Sequence, residues 1–150
     1  VAELTGIRLR IANEADLDAI LAIEEISFTT AWSRDFFFHE LHNPISKFYV
    51  LEQRKCVIGY VIFWLVADEV HIANLAVYPQ FRRSGMGTKL LKTVFDQASR
   101  HRAKIITLEV NEKNVSARDL YRKFGFTQVG RRAKYYENRD DALILSRSLQ

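Results

Sequence analysis

Apolar and charged side chains alternate along Ile7-Arg8-Leu9-Arg10-Ile11, the period of a half-buried strand. The period then becomes helical. Asn13 reads as an N-cap with Asp16 three residues on, and Leu17, Ile20, Leu21, Glu24 and Ile26 follow at helical spacing to about Phe28. After a connection at 29–32, Ser33 caps a second, shorter helix carrying Phe36, Phe37 and Leu41, which Asn43-Pro44 stops. Residues 48–52 and Cys56–Val66 are rich in β-branched and aromatic side chains, and polar Gln53-Arg54-Lys55 between them reads as a hairpin turn. A third strand, 70–77, follows the tight connection at 67–69 and ends at Pro79.

From Gly85 a helix carries Leu90, Leu91, Val94, Phe95 and Ala98 as its core stripe. Residues 105–110 then form a strand after a helical crossover, so it is expected parallel to 70–77. Asn114 or Ser116 caps a further helix with Ala117, Leu120, Tyr121 and Phe124, and Gly125 terminates it. Residues 126–130 and 142–146 make a last strand pair, joined by a polar, basic connection containing Tyr135 and Tyr136. The predicted order β-α-α-β-β-β-α-β-α-β-β describes an α/β fold with a mixed, mostly antiparallel sheet and one parallel pair.

Composition narrows the classes. A chain of 150 residues forms one domain that buries roughly two-thirds of its unfolded surface, enough to fold without a metal or disulfide staple. The single cysteine, Cys56, has no internal partner, which favours a reducing compartment. The N-terminus carries no basic-then-apolar leader, and the longest apolar run, 56–67, falls short of the roughly 20 residues a spanning helix needs. The expectation is a cytoplasmic protein with no membrane contact. A formal net charge of +4 suits an anionic small ligand, but the basic residues are dispersed, so direct nucleic-acid binding is not expected. No repeat or Pro/Gly/Ser-rich linker divides the chain. His71 lacks a second ligand-type residue at metal-binding spacing, so no metal is expected.

One stretch carries candidate chemistry. Residues 74–88, N-L-A-V-Y-P-Q-F-R-R-S-G-M-G-T, turn an apolar strand abruptly into a helix. The first N–H groups of a helix lack intrahelical partners and carry the positive end of its dipole, so an anion can sit there. Gly85 and Gly87 permit close approach, while Arg82 and Arg83 add forked donors that match phosphate oxygens. Taken alone, these residues fit a plain surface loop equally well. A dinucleotide-binding turn fits poorly, because Leu90 stands at the third glycine position and antiparallel strands precede the turn. No G-x-x-x-x-G-K-S/T run occurs.

Arg82-Arg83-Ser84-Gly85-Met86-Gly87 has the form Q/R-x-x-G-x-G/A between strand and helix, with Gln80 just before it. A second run, Asn114-x-x-Ala117-x-x-Leu120-Tyr121-x-x-x-Gly125-Phe126, accompanies it. In both, and in the order of its elements, the chain resembles the GNAT superfamily of N-acetyltransferases. Ala31-Trp32-Ser33, Asn74-Leu75-Ala76-Val77, Leu108-Glu109-Val110 and Arg131-Arg132-Ala133-Lys134-Tyr135-Tyr136 are most similar to the bacterial ribosomal-protein alanine N-acetyltransferases (RimI type). Other N-terminal acetyltransferases share these runs in part. Two departures stand out: Thr30-Ala31 precedes Trp32 where that family usually has Phe-Pro, and Ala133 replaces its usual Asn.

The resemblance implies a GNAT fold and acetyl-CoA as acetyl donor. Its pantetheine would lie along Leu75, Ala76 and Val77, and its pyrophosphate on Arg82, Arg83, Ser84, Gly85, Met86, Gly87 and Thr88. Asn114 would contact the cofactor as well as cap a helix. Glu109 is implied as the base that takes the amine proton and Tyr121 as the acid facing the departing thiolate. Phe28 and Trp32 on one side, and Tyr135 and Tyr136 on the other, would flank the acceptor, a protein N-terminus such as that of a ribosomal protein. A lysine or small-amine acetyltransferase and a non-catalytic CoA sensor stay open as alternatives.

Overall fold

The computed structural model describes residues 5–28 and 30–149, so Thr29 of the predicted 29–32 connection lies outside the described residues. Among these residues seven strands form one sheet: β1 (Ile7–Ile11), β2 (Ser46–Gln53), β3 (Cys56–Val66), β4 (Glu69–Val77), β5 (Ile105–Asn111), β6 (Thr127–Tyr136) and β7 (Asp140–Ser148), in the order β1-β2-β3-β4-β5-β7-β6. Helices α1 (Leu17–Ser27) and α2 (Arg34–Leu41) cover one face, and α3 (Met86–Arg100) and α4 (Val115–Lys123) the other. The predicted element order is the observed one.

Local chemistry sets the helix starts. Asn13 and Asp16 form a reciprocal capping box on a single 3-10 turn, Glu14–Asp16, which feeds α1. Ser33 caps α2 through the Phe36 N–H, and Asn114 caps α4 through the Ala117 N–H. Helix α3 lays Met86, Leu90, Leu91, Val94 and Ala98 against Val61, Phe63, Ile72 and Leu108 of the sheet. On the opposite face Leu17, Ile20 and Ile23 of α1 and Phe37 of α2 close over Phe48, Val50, Tyr60 and Ile62.

Two expectations change. The stretch 131–136 is strand, not connection: β6 runs to Tyr136, and the turn to β7 is only residues 137–139. Charged and aromatic side chains hid this strand because β6 is an edge with nearly every residue exposed, so no buried face imposes an apolar alternation. The parallel pairing is also shorter than its strands, since only Glu69 to Ile72 of β4 pair with Ile105 to Leu108 of β5. The cause lies in β3–β4, where Asn74 faces Ile62 but Ile72 faces Phe63, leaving Ala73 as a one-residue bulge. The bulge bends β4 away, while β5 stays paired with β7 along its whole length. A wedge opens between β4 and β5 beyond Ile72.

Candidate active site

The wedge exposes backbone. Tyr78 N–H bonds the Ile58 carbonyl at 2.7 Å, continuing the β3–β4 ladder, so by antiparallel alternation Asn74 and Ala76 bond to β3 and Leu75 and Val77 turn their groups into the wedge. Two of these are already engaged: Leu75 N–H donates to Asn74 Oδ1 (3.1 Å), and Arg82 Nε donates to the Val77 carbonyl (3.0 Å). The Leu75 carbonyl and the Val77 N–H remain for an extended partner.

At the mouth of the wedge the chain turns through a 3-10 segment, Pro79–Phe81, into α3. Arg83 has φ 61° and Gly85 φ 86°, both left-handed, and Gly85 is the N-cap of α3 with no side chain capping it. The N–H groups of Met86, Gly87 and Thr88 thus face outward, and Lys89 N–H is the first to bond back, to the Gly85 carbonyl. A Cβ on Gly85 would meet no protein atom within 4 Å, so the space before it is open. A Cβ on Gly87 would sit 3.1 Å from Leu120 Cδ2, which shows that this glycine also lets α3 approach α4. Ser84 Oγ donates to the Phe81 carbonyl and shapes the turn.

The two arginines divide their work. Arg82 Nε holds Val77, and its Nη2 reaches Ser27 Oγ at the end of α1 (2.9 Å), so this guanidinium braces the turn rather than standing free over it. Arg83 is exposed and has no side-chain partner among the described residues, which leaves its charge available to an anion.

Glu109 lies on β5 just past the last parallel pair. Alternation along β5 turns it away from the α3 face, toward the side covered by α1 and α2. Arg132 Nε approaches Glu109 Oε2 at 3.2 Å as an ion pair, yet the same oxygen is buried without a hydrogen bond, so the contact is a charge contact without a directed donor. The Arg132 guanidinium also lies 5.4 Å over the Tyr135 ring, and Tyr135 and Tyr136 meet edge to face at 5.0 Å. Burial, then the nearby Glu109 charge, push the Tyr136 hydroxyl up to about 12. His71 stands on the same side with its Nδ1 3.0 Å from Thr107 Oγ1 and its ring stacked on Trp64; burial lowers its pKa, so it is neutral at pH 7.

Tyr121 of α4 is buried on the other face, packed edge-on against Phe126. Its hydroxyl bonds to no described residue. Burial, reinforced by Tyr136, drives its pKa far above the usual phenol value. The Glu109 charge acts on the Tyr136 hydroxyl, and Tyr136 acts in turn on Tyr121. Asn114 spends its Oδ1 on the α4 cap (3.2 Å), and its amide N–H groups have no partner among the described residues.

Phe28 and Trp32 pack on the α1–α2 core, and Trp32 meets Phe36 at 4.0 Å and Phe37 at 5.8 Å between ring centroids. Sequence reasoning missed what holds them. Glu24, almost fully buried, accepts from the Trp32 backbone N–H (2.9 Å), from Asn74 Nδ2 (2.6 Å) and from the Tyr60 hydroxyl. A glutamate on the apolar stripe of α1 was the available signal.

A model of the acetyltransferase (GNAT) family matches residues 17–126. The chain belongs to that family. It is an acetyl-CoA-dependent N-acetyltransferase. A Bacillus subtilis (strain 168) protein provisionally named a ribosomal protein bS18-alanine N-acetyltransferase is 37% identical over 87% of both chains. An N-alpha-acetyltransferase of Sulfurisphaera tokodaii is 30% identical over 95% of this chain and 93% of that one. The crystal structure of the ribosomal-protein-S18-alanine N-acetyltransferase from Escherichia coli superposes with a TM-score of 0.88 at 27% identity, covering 96% of this chain and 94% of the other.

GNAT acetyltransferases use acetyl-CoA, and the residues of this enzyme suit such a ligand. The uncapped α3 N-terminus and the free Arg83 match a pyrophosphate. The open β4 edge matches the amide groups of an extended pantetheine arm. Glu109 lies just past the last parallel pair of β4 and β5, and Tyr121 lies on α4 on the other face.

Proposed function

We propose that this GNAT enzyme acetylates the α-amine of a protein N-terminus, and that its acceptor is the N-terminal alanine of a small-subunit ribosomal protein. The observation that carries the reading is Glu109 just past the last parallel pair, its Oε2 buried and in charge contact with Arg132 but without a hydrogen bond. A buried acceptor of this kind calls for a donor, and an incoming ammonium supplies one. The names of the B. subtilis and E. coli relatives support the alanine acceptor, and ribosomal-protein modification favours a cytoplasmic setting. Among the described residues no helix is long and apolar enough to cross a membrane.

On the donor side, Met86, Gly87 and Thr88 N–H, with Arg83, bind the pyrophosphate, and Leu75, Ala76 and Val77 align the pantetheine arm. Gly85 leaves room for the phosphate, Ser84 and Arg82 hold the turn in shape, and the amide of Asn114 adds a donor. Acetyl-CoA, when bound, supplies a thioester whose carbonyl carbon accepts the amine and whose C–S bond then breaks. The Val77 N–H polarises that carbonyl.

On the acceptor side, Phe28 and Trp32 face Tyr135 and Tyr136 across the α1–α2 side of the wedge. Glu109 takes the proton the amine must lose. An α-amine of pKa about 8 is already roughly one-tenth neutral at pH 7, so this base has a light task compared with a lysine of pKa about 10.4. Tyr121 keeps its proton throughout neutral pH and directs it at the departing sulfur, and its hydroxyl is reprotonated from solvent after CoA leaves.

A broader N-terminal acetyltransferase is the second reading, favoured by the S. tokodaii relative and by Thr30-Ala31 and Ala133 at the acceptor side. Incubation with acetyl-CoA and peptides varied at their first residues, read by mass spectrometry, separates the two. Acetylation of the α-amine with preference for alanine is expected. Preference for a lysine side chain would overturn both readings.

A further inference from the structure

The Glu24 cluster is not used by the chemistry above, yet it joins the α1–α2 connection to β4. Its Oε1 receives Asn74 Nδ2 and the Tyr60 hydroxyl, and its Oε2 receives the Trp32 N–H. Asn74 Nδ2 lies also 3.2 Å from the Tyr60 oxygen. With its amide nitrogen thus directed at Glu24, Asn74 must present Oδ1 to the Leu75 N–H. Trp32 N–H and Asn74 Nδ2 are obligate donors, so each oxygen of Glu24 must accept at least one bond, whereas the Tyr60 hydroxyl can donate or accept. Burial nonetheless raises its pKa, and the three hydrogen bonds act against that rise. A carboxylate held at this cost in the interior, where apolar packing is the cheaper choice, calls for a role beyond stability.

We propose that Glu24 is a positioning residue for acetyl transfer, fixing the acceptor lip through Trp32 N–H and the donor strand through Asn74 and Leu75. This rests on the acceptor site proposed above. The carboxylate sets the polarity of the whole cluster. In Glu24→Gln one oxygen becomes an NH2 donor. If that NH2 faces Trp32, the lip loses its anchor. If it faces Asn74, the Asn74 amide must flip and Leu75 N–H then meets a second donor. Exchanging the two functions in Glu24→Gln/Asn74→Asp restores the bonds. The introduced amide accepts from Trp32 N–H and donates to the introduced carboxylate, whose other oxygen accepts from Leu75 N–H. The Tyr60 hydroxyl, already within reach of position 74, turns its proton to that carboxylate.

The expected result is a fall in kcat/KM for the acceptor of about tenfold in Glu24→Gln, the size of one lost hydrogen bond. The double variant is expected to recover to within about threefold of wild type. The ratio is read with whichever acceptor the wild type acetylates, so failure of the α-amine assignment leaves it measurable. A role confined to stability would lower Tm while leaving kcat/KM of the folded enzyme alone, and that outcome overturns the proposal. Absence of recovery in the double variant overturns it as well. Amide hydrogen exchange at Trp32 in the wild type needs neither variant nor acceptor: protection is expected, and exchange at the rate of a free loop refutes the anchor.

Discussion

Tyr121→Phe separates chemistry from packing because the structure assigns the hydroxyl no bond to lose. The Tyr121 ring is buried against Phe126, while its oxygen has no partner among the described residues. Removing it creates no cavity and orphans no donor or acceptor, so the stability change is expected within about 0.5 kcal/mol. For a chain of this length that is a Tm shift of about 2 °C or less, readable by thermal melting. Loss of a proton aimed at the leaving sulfur is a different scale, a kcat fall on the order of 10²-fold or about 2.7 kcal/mol. The assay is release of free CoA thiol from acetyl-CoA in the presence of an alanine-initiated peptide, with CoA affinity measured separately by calorimetry. Because burial raises the Tyr121 pKa far above the ordinary phenol value, the wild-type profile should show no alkaline fall from this group between about pH 7 and 10. Turnover within about threefold of wild type would reduce Tyr121 to packing. A Tm drop of many degrees would refute the claim that the hydroxyl is unbonded.

Three further outcomes are expected. Glu109→Gln should lower kcat by about 10²-fold and shift the rate profile upward in pH, toward the amine's own pKa, while acetyl-CoA binding is spared; an unchanged rate removes Glu109 from proton transfer. Gly85→Ala forces a methyl-bearing residue to φ 86°, costing on the order of 1 kcal/mol or about 2–4 °C in Tm, and places that methyl in open space before α3. CoA affinity should fall on the order of tenfold, and unchanged affinity would show that the phosphate sits elsewhere. At the β6–β7 turn, the Lys134 N–H and then Arg131 hold Asp141 below the ordinary carboxylate range, and Asn111 and then Lys113 do the same for Asp140. Their folded pKa values are depressed, so their contribution is present above the unfolded value near 3.9 and is lost as pH falls through the folded values. Hydrogen-exchange protection in the hairpin, taken relative to the intrinsic rate at each pH, should therefore fall below about pH 4, and protection that stays flat with acidification contradicts the pairing.

What the sequence determined by itself was everything local. Period-2 and helical spacing, with Asn13, Ser33 and Asn114 as caps and Gly125 as a stop, are written in consecutive residues, so the element order could be read directly. The turn into α3 was legible as a helix start, because its glycines are contiguous with the helix and such a start needs no distant partner. Tertiary structure decided the rest. The 131–136 half of β6 lacks an apolar face, and only pairing with β7 reveals it. The Ala73 bulge, which opens the wedge, has no signature in the amino acids around it and exists only as a mismatch of register between β3 and β4. Arg82 and Arg83 are neighbours of one chemistry, yet one braces Val77 and Ser27 and the other is free, a difference set by the backbone turn between them. Glu24, Tyr60 and Asn74 lie 14 to 50 residues apart along the chain. Their convergence on one buried charge is a long-range event, and only the folded sheet brings the lip and the donor strand to the same carboxylate.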